Sequence, residues 1–321
     1  MPVRPTWPDL SRAVPPGGYA WWYLDALSED GESGLVLIAF VGSVFSPYYA
    51  HARRRAGRSG DGGVDPQGHN AFNLSLYRRG RKVWTMTERG ARQLQRDAAR
   101  LQVGPSSLQW RGDTLHARID EVSVPWPRRV RGEIRLHLPA WQPQWHALDA
   151  GGRHRWWPIA PRAEVEVAFD QPALRWRGHG YLDSNRGDEP LEDGFVRWHW
   201  SRAPLVGGRA AVMYDALRRD GSSAALALRF DRHGESEAIE HPPSCALPAG
   251  AWGVARATVS DAGQPAQSRR VLEDGPFYVR SLVGASWLGE PVRAMHESLD
   301  LDRFRRPLVQ AMLPFRMPRR A

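Results

Sequence analysis

"AEVEVAF", residues 163–169, alternates apolar and polar side chains, and this period of two decides the class of fold. Val165, Val167 and Phe169 share one face of an extended chain, because successive side chains of a strand point to opposite faces. The same alternation recurs in "AFNLSLY" (71–77), "FVRWHW" (195–200) and "AALALRF" (224–230). Gly, Pro, Asp and Asn separate these stretches at short intervals. The sequence therefore predicts an all-β protein of half-buried antiparallel strands, arranged as a sandwich or barrel.

Helical and loop patterns are few. Residues 87–102 are a candidate helix with poor apolar spacing, and residues 302–315 are expected to form one or two turns around Pro307. Residues 53–68 have the composition of a loop.

The length of 321 residues suits two domains of ordinary size. Residues 20–41 and 196–217 share one plan: an aromatic strand, a polar turn, a glycine and an apolar strand. An internal duplication explains this similarity, and so does the general pattern of β-hairpins. We expect two β domains, residues 1–185 and 186–321, packed side by side. Asp183 would then lie at their junction, where ligand clefts are common.

Charge and cysteine content limit the partners and the compartment. The formal net charge is +9, and a basic surface attracts nucleic acids or anionic lipids. The arginines are scattered and form no nucleic-acid-binding motif, so nucleic acid is not an expected partner. Cys245 is the only cysteine, which suits a reducing cytoplasm. The first 18 residues lack the apolar run of a signal peptide, and the longest apolar run, 34–45, is too short to span a bilayer. We expect a soluble or peripheral protein.

No metal-binding or nucleotide-binding motif is present, so neither a metal nor a nucleotide cofactor is expected. Two other stretches carry chemical groups: "GGRHRWWPIAP" (151–161) and "GHGYLDSN" (178–185). In strands, His154 and Trp156 share a face, as do Tyr181 and Asp183. If the two strands are neighbours, these four side chains converge.

An acid among aromatic rings is poorly solvated, which raises its pKa and favours the neutral, proton-donating form. Aromatic faces also stabilise an adjacent cation. The group therefore suits chemistry that passes through a carbocation. The alternative is a structural Asp183, hydrogen-bonded to backbone amides in a turn at "LDSN".

Longer stretches resemble the carotenoid 1,2-hydratases, also called hydroxyneurosporene synthases, of photosynthetic bacteria. The resemblance runs nearly end to end, and "FVGSVFSPYYA" and "GYLDSNRG" are its most specific parts. The other matching stretches are "GGYAWWYLDALSEDG", "MTERG", "GRHRWWPIAPRAEVEV", "WHWSRA", "YDALRRDG", "LEDGPFYVRS", "HESLDLDRF" and "MLPFRMPR".

The resemblance implies two lipocalin-like β domains and a cofactor-free addition of water to the terminal C1–C2 double bond of acyclic carotenes such as neurosporene and lycopene. It also places the family's functional residues on His154, Trp156, Tyr181 and Asp183. Protonation of C2 by Asp183 gives a tertiary cation at C1, which water captures. Trp156 and Tyr181 would face the cation, and His154 would position Asp183 or the attacking water and help return the proton.

Substrate and membrane contacts are expected from aromatic and basic residues. The candidate substrate-binding residues are Trp22, Tyr23, Trp157, Trp198, Trp200 and Tyr214, with packing in the core as the alternative for each. The tail at 304–320 could dock on anionic lipid, which would place the enzyme at the cytoplasmic or intracytoplasmic membrane. Alternatively, the tail packs on the second domain.

Three other functions compete with hydration. A non-catalytic carotenoid or lipid carrier would bind pigment without changing it. A pericyclic catalyst on the same scaffold would need no proton donor. A nucleic-acid-binding module is the most distant possibility. The acid in "GYLDSN" favours the hydratase.

Overall fold

The structure is a computed structural model that describes residues 8–59, 63–139 and 141–320. Strands make up 56% of it and helices 13%, which confirms the predicted all-β class. The chain forms two compact units. The first comprises Met1–His146, Arg153–Pro190 and Ala311–Ala321, and the second comprises Ala147–Gly152 and Leu191–Gln310. The chain thus crosses between the units after His146, Gly152, Pro190 and Gln310, whereas the sequence suggested one boundary after residue 185.

The first unit contains twelve strands in sequence order and one strand from the tail. They are β1 (Tyr19–Ser28), β2 (Ser33–Val41), β3 (Asn70–Arg78), β4 (Arg81–Arg89), β5 (Leu94–Arg96), β6 (Arg100–Val103), β7 (Ser106–Arg111), β8 (Thr114–Val122), β9 (Arg129–His137), β10 (His146–Ala147), β11 (His154–Gln171) and β12 (Ala173–Gly187). The second unit contains β13 (Phe195–Pro204), β14 (Ala210–Arg218), β15 (Ser223–Phe230), β16 (Ser236–Ala238), β17 (Ser244–Leu247), β18 (Arg256–Val259), β19 (Gln267–Asp274), β20 (Tyr278–Trp287) and β21 (Glu290–Asp300). The tail strand is β22 (Arg319–Arg320).

The thirteen strands of the first unit form one sheet, in the order β22-β4-β3-β2-β1-β12-β11-β9-β8-β7-β6-β5, with β10 paired to β11. Only β22 pairs in parallel among the pairings described. Thr85 of β4 bridges Ser123, which follows β8, so the sheet curls until its two halves meet. The enclosed face carries a continuous hydrophobic core. Val165, Val167 and Phe169 belong to it, as their alternation predicts.

The opposite face of β1, β2 and β3 is also buried, which corrects the expectation of half-buried strands. The sequence signal for this second buried face is weak, because several of its side chains are polar. Asn73 illustrates how they are satisfied: its side-chain amide donates to the carbonyl of Thr85. This face therefore combines hydrogen-bonded polar groups such as Asn73 with buried apolar side chains such as Val36 and Phe40.

The second unit is built on a seven-stranded sheet in the order β16-β15-β14-β13-β21-β20-β19, with β17 and β18 paired separately. Its core contains Met213, Val259 and Trp287. A chain of hydrogen bonds crosses the middle of this sheet. It runs from His199 Nδ1 to Ser298 Oγ (2.9 Å), on to His296 Nε2 (2.9 Å), and from His296 Nδ1 to Ser201 Oγ (2.8 Å).

Four α-helices are present among the described residues: α1 (Pro47–Ser59), α2 (Leu191–Gly194), α3 (Leu301–Arg305) and α4 (Pro307–Met312). The last two confirm the short turns expected around Pro307. Helix α1 shows that the loop expected at 53–68 was wrong for 53–59; residues 60–62 lie outside the described part. The helix starts where Ser46 Oγ accepts from the Tyr49 amide and Pro47 occupies the first turn.

The candidate helix at 87–102 is also corrected, since this segment forms the end of β4, a 3-10 turn, β5 and part of β6. Asp97 is the physical reason for the turn between β5 and β6. Its Oδ1 accepts from the amides of Ala99 and Arg100, a local arrangement that competes with helix.

The tail divides between the units: residues 304–310 belong to the second unit, as the packing alternative supposed, and residues 311–320 belong to the first. Strand β22 pairs with the end of β4. The Arg319 guanidinium donates to Glu88 Oε1, which also lies 2.8 Å from His69 Nδ1. No helix within the described ranges is both long and apolar enough to cross a bilayer.

The buried histidines of the second unit predict a loss of stability in acid. Burial lowers the pKa of His199 to about 4 and that of His296 well below its usual value. Unfolding exposes both to water, where they take up protons below about pH 6.5. The free energy of unfolding should therefore be intact above pH 6.5 and fall towards pH 4, by up to about 1.4 kcal/mol per pH unit for each histidine. Urea unfolding between pH 4.5 and 7.5 measures this slope.

The variant His199→Gln should show a shallower slope than the wild type, because one of the two proton-binding groups is gone. The exposed His233 supplies the matched control, and His233→Gln should keep the wild-type slope. Equal slopes for His199→Gln and the wild type would contradict the assignment.

Candidate active site

Strands β11 and β12 form a long antiparallel hairpin that brings the two predicted stretches together. His154 lies opposite Gly187 and Trp156 opposite Asn185, so both share a face with the odd-numbered residues of β12. The register of β11 shifts between Trp157 and Ala163, beyond this part of the hairpin. The face carrying Trp156 is the polar one, opposite to the hydrophobic core.

Asp183 is the centre of this face. Its side chain is buried, and Oδ2 accepts two hydrogen bonds: from Trp156 Nε1 at 2.8 Å and from the Tyr181 hydroxyl at 2.8 Å. Trp156 and Tyr181 are each 0% exposed. Three of the four side chains expected to converge are therefore in direct contact. The alternative of a turn aspartate bonded to amides does not describe Asp183, which lies within a regular strand.

The Tyr181 hydroxyl remains a proton donor in this setting. Burial, followed by the charge of Asp183 and the hydrogen bond to it, raises the pKa of Tyr181 well above its usual value. Both partners of Oδ2 are thus neutral donors at neutral pH. These donors stabilise the ionised form of Asp183, whereas its burial favours the neutral form, so the two effects oppose each other.

Strand β1 completes the wall beside Asp183. Tyr23 lies opposite Asp183, and its ring packs edge-on against Tyr181 with centroids 6.2 Å apart. Asp25 lies opposite Tyr181 and is 0% exposed, and its charge contributes to the raised pKa of Tyr181. Asp25 was not predicted from the sequence. Its position two residues after Tyr23, on the same face of a strand, was the available signal.

His154 is held at the open end of the hairpin. Its Nδ1 lies 2.9 Å from the hydroxyl of Tyr19, and its Nε2 lies 3.2 Å from Glu189 Oε1. Arg153 also donates to Glu189, at 2.7 Å. Both ring nitrogens are therefore engaged. Opposite Gly187, His154 lies four residues along β12 from Asp183, with Trp156 between them in register.

His146 is a second histidine of this region, and it was not predicted from the sequence. Its ring lies 5.5 Å from that of Trp156, centroid to centroid, at 39°. Burial lowers its pKa, so the imidazole is neutral at neutral pH. Its Nε2 atom is buried and has no hydrogen-bond partner among the residues described. The surrounding "WQPQWHA" lacks periodicity, so only the structure brings His146 to Trp156.

The other predicted substrate contacts are spread over the fold. Trp22 and Trp157 belong to the hydrophobic core of the first unit, on the face of the sheet opposite to Asp183. Core packing, the alternative left open by the sequence, describes both. Of this group, Tyr23 faces the same side as Asp183. The remaining three lie buried on β13 and β14 of the second unit, where their contact with substrate stays a prediction: Trp198, Trp200 and Tyr214.

A search of the described ranges finds no group of three or more His, Cys, Asp or Glu side chains that could hold a metal ion. The chemical groups at the site are two buried acids, Asp183 and Asp25, the two neutral donors of Asp183 and the neutral imidazole of His146. This set can deliver a proton to a bound molecule and take one from water.

Comparisons with known proteins agree with one another. The model of the family described as "Carotenoid hydratase CrtC" matches residues 37–321. A relative named acyclic carotenoid 1,2-hydratase, from Thiocapsa roseopersicina, is 52% identical over 313 residues, covering 97% of this chain and 76% of the relative. A relative of the same name from Rubrivivax gelatinosus is 48% identical over 314 residues, covering 98% of this chain and 76% of the relative.

Among solved structures, a putative AttH from Nitrosomonas europaea superposes with a TM-score of 0.59 at 14% identity. The match covers 88% of this chain and 92% of that one. This similarity concerns the fold alone, and it supports the lipocalin-like architecture expected from the sequence.

The packing at Gly187 predicts a local test of the site. A Cβ at this position would fall within 2.9 Å of His154 Nδ1 and still nearer to the ring of Tyr19. Gly187→Ala should therefore separate Tyr19 from His154 and destabilise the protein by about 1–3 kcal/mol, as overpacking usually does. Thermal unfolding measures the loss. Gly57→Ala is the control, because a Cβ there meets nothing within 4 Å, and an unchanged melting temperature for Gly187→Ala would contradict the packing.

Proposed function

The chain belongs to the carotenoid hydratase family, and we propose that it adds water across the terminal C1–C2 double bond of acyclic carotenes by acid catalysis at Asp183. Such an enzyme is a hydro-lyase. The observation that carries the proposal is the pair of hydrogen bonds from Trp156 and Tyr181 to Asp183 Oδ2. Neurosporene, lycopene and their derivatives are the proposed substrates, and the product is a 1-hydroxy carotenoid.

The chemistry of the alkene requires an acid. An isolated trisubstituted double bond is not electrophilic, so water does not add to it directly. A proton delivered to C2 forms the C2–H bond from the π electrons and leaves a tertiary cation at C1. A water oxygen then forms the C1–O bond and loses one proton. One proton leaves the enzyme, one returns, and the sum is the addition of one water molecule.

Asp183 is the proposed proton donor. Both of its donors bind Oδ2, so in the neutral acid the proton would be carried by Oδ1. When that proton leaves, the two hydrogen bonds stabilise the new carboxylate without any rearrangement. They also fix the direction of the carboxyl group, which general acid catalysis requires.

Aromatic rings support the cation. Trp156, Tyr181 and Tyr23 all lie at Asp183, so a cation formed there is next to aromatic side chains. A cation–π contact in a desolvated site contributes about 2 kcal/mol. The rings therefore tune the barrier, whereas the acid makes the reaction possible.

His154 is proposed as a positioning residue. Its two nitrogens bind Tyr19 and Glu189, and it precedes Trp156 by two residues on the same face of β11. These contacts anchor the end of the hairpin and so hold the Trp156 indole against Asp183. This role replaces direct handling of the attacking water, for which His154 has no remaining ring nitrogen.

Substitutions at Asp183 and Trp156 should have very different effects. Asp183→Asn keeps the shape but removes the proton, and it should lower hydration by about 10²–10⁴-fold or more. Trp156→Phe keeps an aromatic ring but removes one hydrogen bond to Oδ2, so it should only reduce the rate. The measurement is mass spectrometry of lycopene or neurosporene incubated in detergent with purified protein and no added cofactor. Equal rates for Asp183→Asn and the wild type would remove Asp183 from the mechanism.

The same experiment tests the carrier alternative. A non-catalytic carotenoid-binding protein would retain the pigment unaltered in the wild type and in Asp183→Asn alike. Circular dichroism of both proteins ensures that absence of product is not absence of folding.

We further propose that the protein takes its substrate from an anionic membrane surface, as a peripheral protein of the cytoplasmic or intracytoplasmic membrane. Carotenes dissolve in bilayers, and two large aromatic side chains of the first unit are exposed: Trp126 by 78% and Phe315 by 80%. The chain segments that carry these two residues both contact Trp84. The Val124 amide donates to the Trp84 carbonyl, and the Arg316 guanidinium lies 4.7 Å from the Trp84 ring.

The charge of the surrounding chain supports an anionic lipid as the partner. Residues 81–84, 122–130 and 311–320 contain no aspartate or glutamate. Of their basic residues, Arg129 pairs with Asp120 and Arg319 with Glu88, and the others are Arg81, Lys82, Arg128, Arg316 and Arg320. Exposed aromatic rings beside such residues are typical of proteins that lie on a membrane.

The double variant Trp126→Ser/Phe315→Ser should bind poorly to vesicles that contain anionic phosphatidylglycerol, because it loses both inserted rings. Cosedimentation with the vesicles measures binding, and high salt should weaken the wild type as well. Trp252→Ala, at a Trp in the second unit that is 48% exposed, is the matched control and should bind like the wild type. Undiminished binding by the double variant would rule out this surface.

A further inference from the structure

Hydration needs a second proton transfer, from the attacking water, and the structure holds a side chain suited to it. Of the four proposed site residues, only the Asp183 carboxylate left by the first transfer could accept this proton, because Trp156 and Tyr181 are donors to Asp183 and both nitrogens of His154 are engaged. His146 differs from all of them. Its Nε2 atom is buried yet has no hydrogen-bond partner within the described part of the chain.

A buried polar atom without a protein partner requires an explanation, since nearly all such atoms in folded proteins are hydrogen-bonded. Burial also lowers the pKa of His146, which keeps the ring neutral and able to accept a proton. The position fits the reaction, because one indole links the two groups. Trp156 packs against the His146 ring at 5.5 Å and donates to Asp183 through Nε1.

We propose that His146 binds the attacking water through Nε2 and accepts its proton. The inference rests on the proposed function and extends it. In the tautomer protonated at Nδ1, Nε2 accepts a hydrogen bond from water. The water oxygen forms the C1–O bond, its proton moves to Nε2, and the imidazolium then releases that proton to restore Asp183 through solvent. His146 is thus the base of the reaction, as Asp183 is its acid.

The fate of the cation distinguishes this role from a structural one. In D₂O, Asp183 delivers a deuteron to C2. If water does not capture the cation, the Asp183 carboxylate removes a proton from C2 and regenerates a carotene that carries deuterium. Removal of the water-binding base should therefore lower hydration while deuterium continues to enter the unhydrated carotene. A general disturbance of the site would lower both processes together.

The experiment compares purified full-length variants acting on lycopene in detergent made up in D₂O. Mass spectrometry measures hydrated product and deuterium in recovered lycopene. For His146→Phe, the ratio of exchange to hydration should rise at least tenfold over the wild type. His146→Gln, which can hold water but cannot accept a proton, should shift the ratio in the same direction. His116→Gln is the control: this histidine of β8 also has a pKa lowered by burial, and its ratio should not change.

Each outcome decides one point. An unchanged ratio in both His146 variants, with hydration either retained or lost in proportion to exchange, overturns the role of His146 and leaves Asp183 untouched. Exchange that persists in Asp183→Asn overturns the acid, and with it the proposed function. Loss of both processes in Asp183→Asn, together with the raised ratio in His146→Phe and His146→Gln, supports both assignments.

Discussion

Asp183 Oδ2 accepts two hydrogen bonds in the interior of the first unit, and the position of the surrounding strands depends on this buried acid being satisfied. An acid can lie in such a place only if its neighbours satisfy it. Trp156 and Tyr181 do so from adjacent antiparallel strands, and their rings exclude water at the same time. The length of β11 and β12 matters here, because the apolar halves of these strands anchor the hairpin in the core while their other ends carry the acid.

The site residues lie on the outer face of the curled sheet because its enclosed face is filled by the hydrophobic core. Barrels of the lipocalin type use their interior to hold a ligand. In this protein the enclosed face is packed with side chains, among them Trp22, Trp157 and Phe169. The polar groups lie on the reverse face of the same strands, and the odd-numbered residues of β1 and β12 build it. One sheet thus provides stability on one side and chemistry on the other.

The sequence predicted the parts of this arrangement that depend on period two. The spacing of His154 with Trp156 and of Tyr181 with Asp183 implied shared faces, and the register of the hairpin then brought Trp156 and Tyr181 to the acid. Other parts have no periodic signature. His146 follows a segment rich in proline and tryptophan, and its position depends on how that segment folds onto β11.

Other differences have similar physical causes. The second buried face of β1 to β3 was missed because polar residues such as Asp25 and Asn73 imitate a solvated face. Helix α1 was missed because only Pro47, Tyr49 and Ala50 are buried in its thirteen residues, too few to produce a helical pattern. Ser46 followed by Pro47 was the one local signal for its start.

His154 and His146 are the same residue type, but their hydrogen bonds give them different possible roles. His146 lies in β10 and its ring packs on Trp156, whereas His154 is the first residue of β11 and precedes Trp156 by two positions. An imidazole with both nitrogens bound, like His154, can orient its neighbours but has no lone pair or proton to offer a substrate. A neutral imidazole with a buried nitrogen that meets no protein group retains that capacity. Because hydration returns one proton for each proton it takes, a second base beside the acid lets the two proton transfers occur at separate groups, and the Nε2 atom of His146 suits that second transfer.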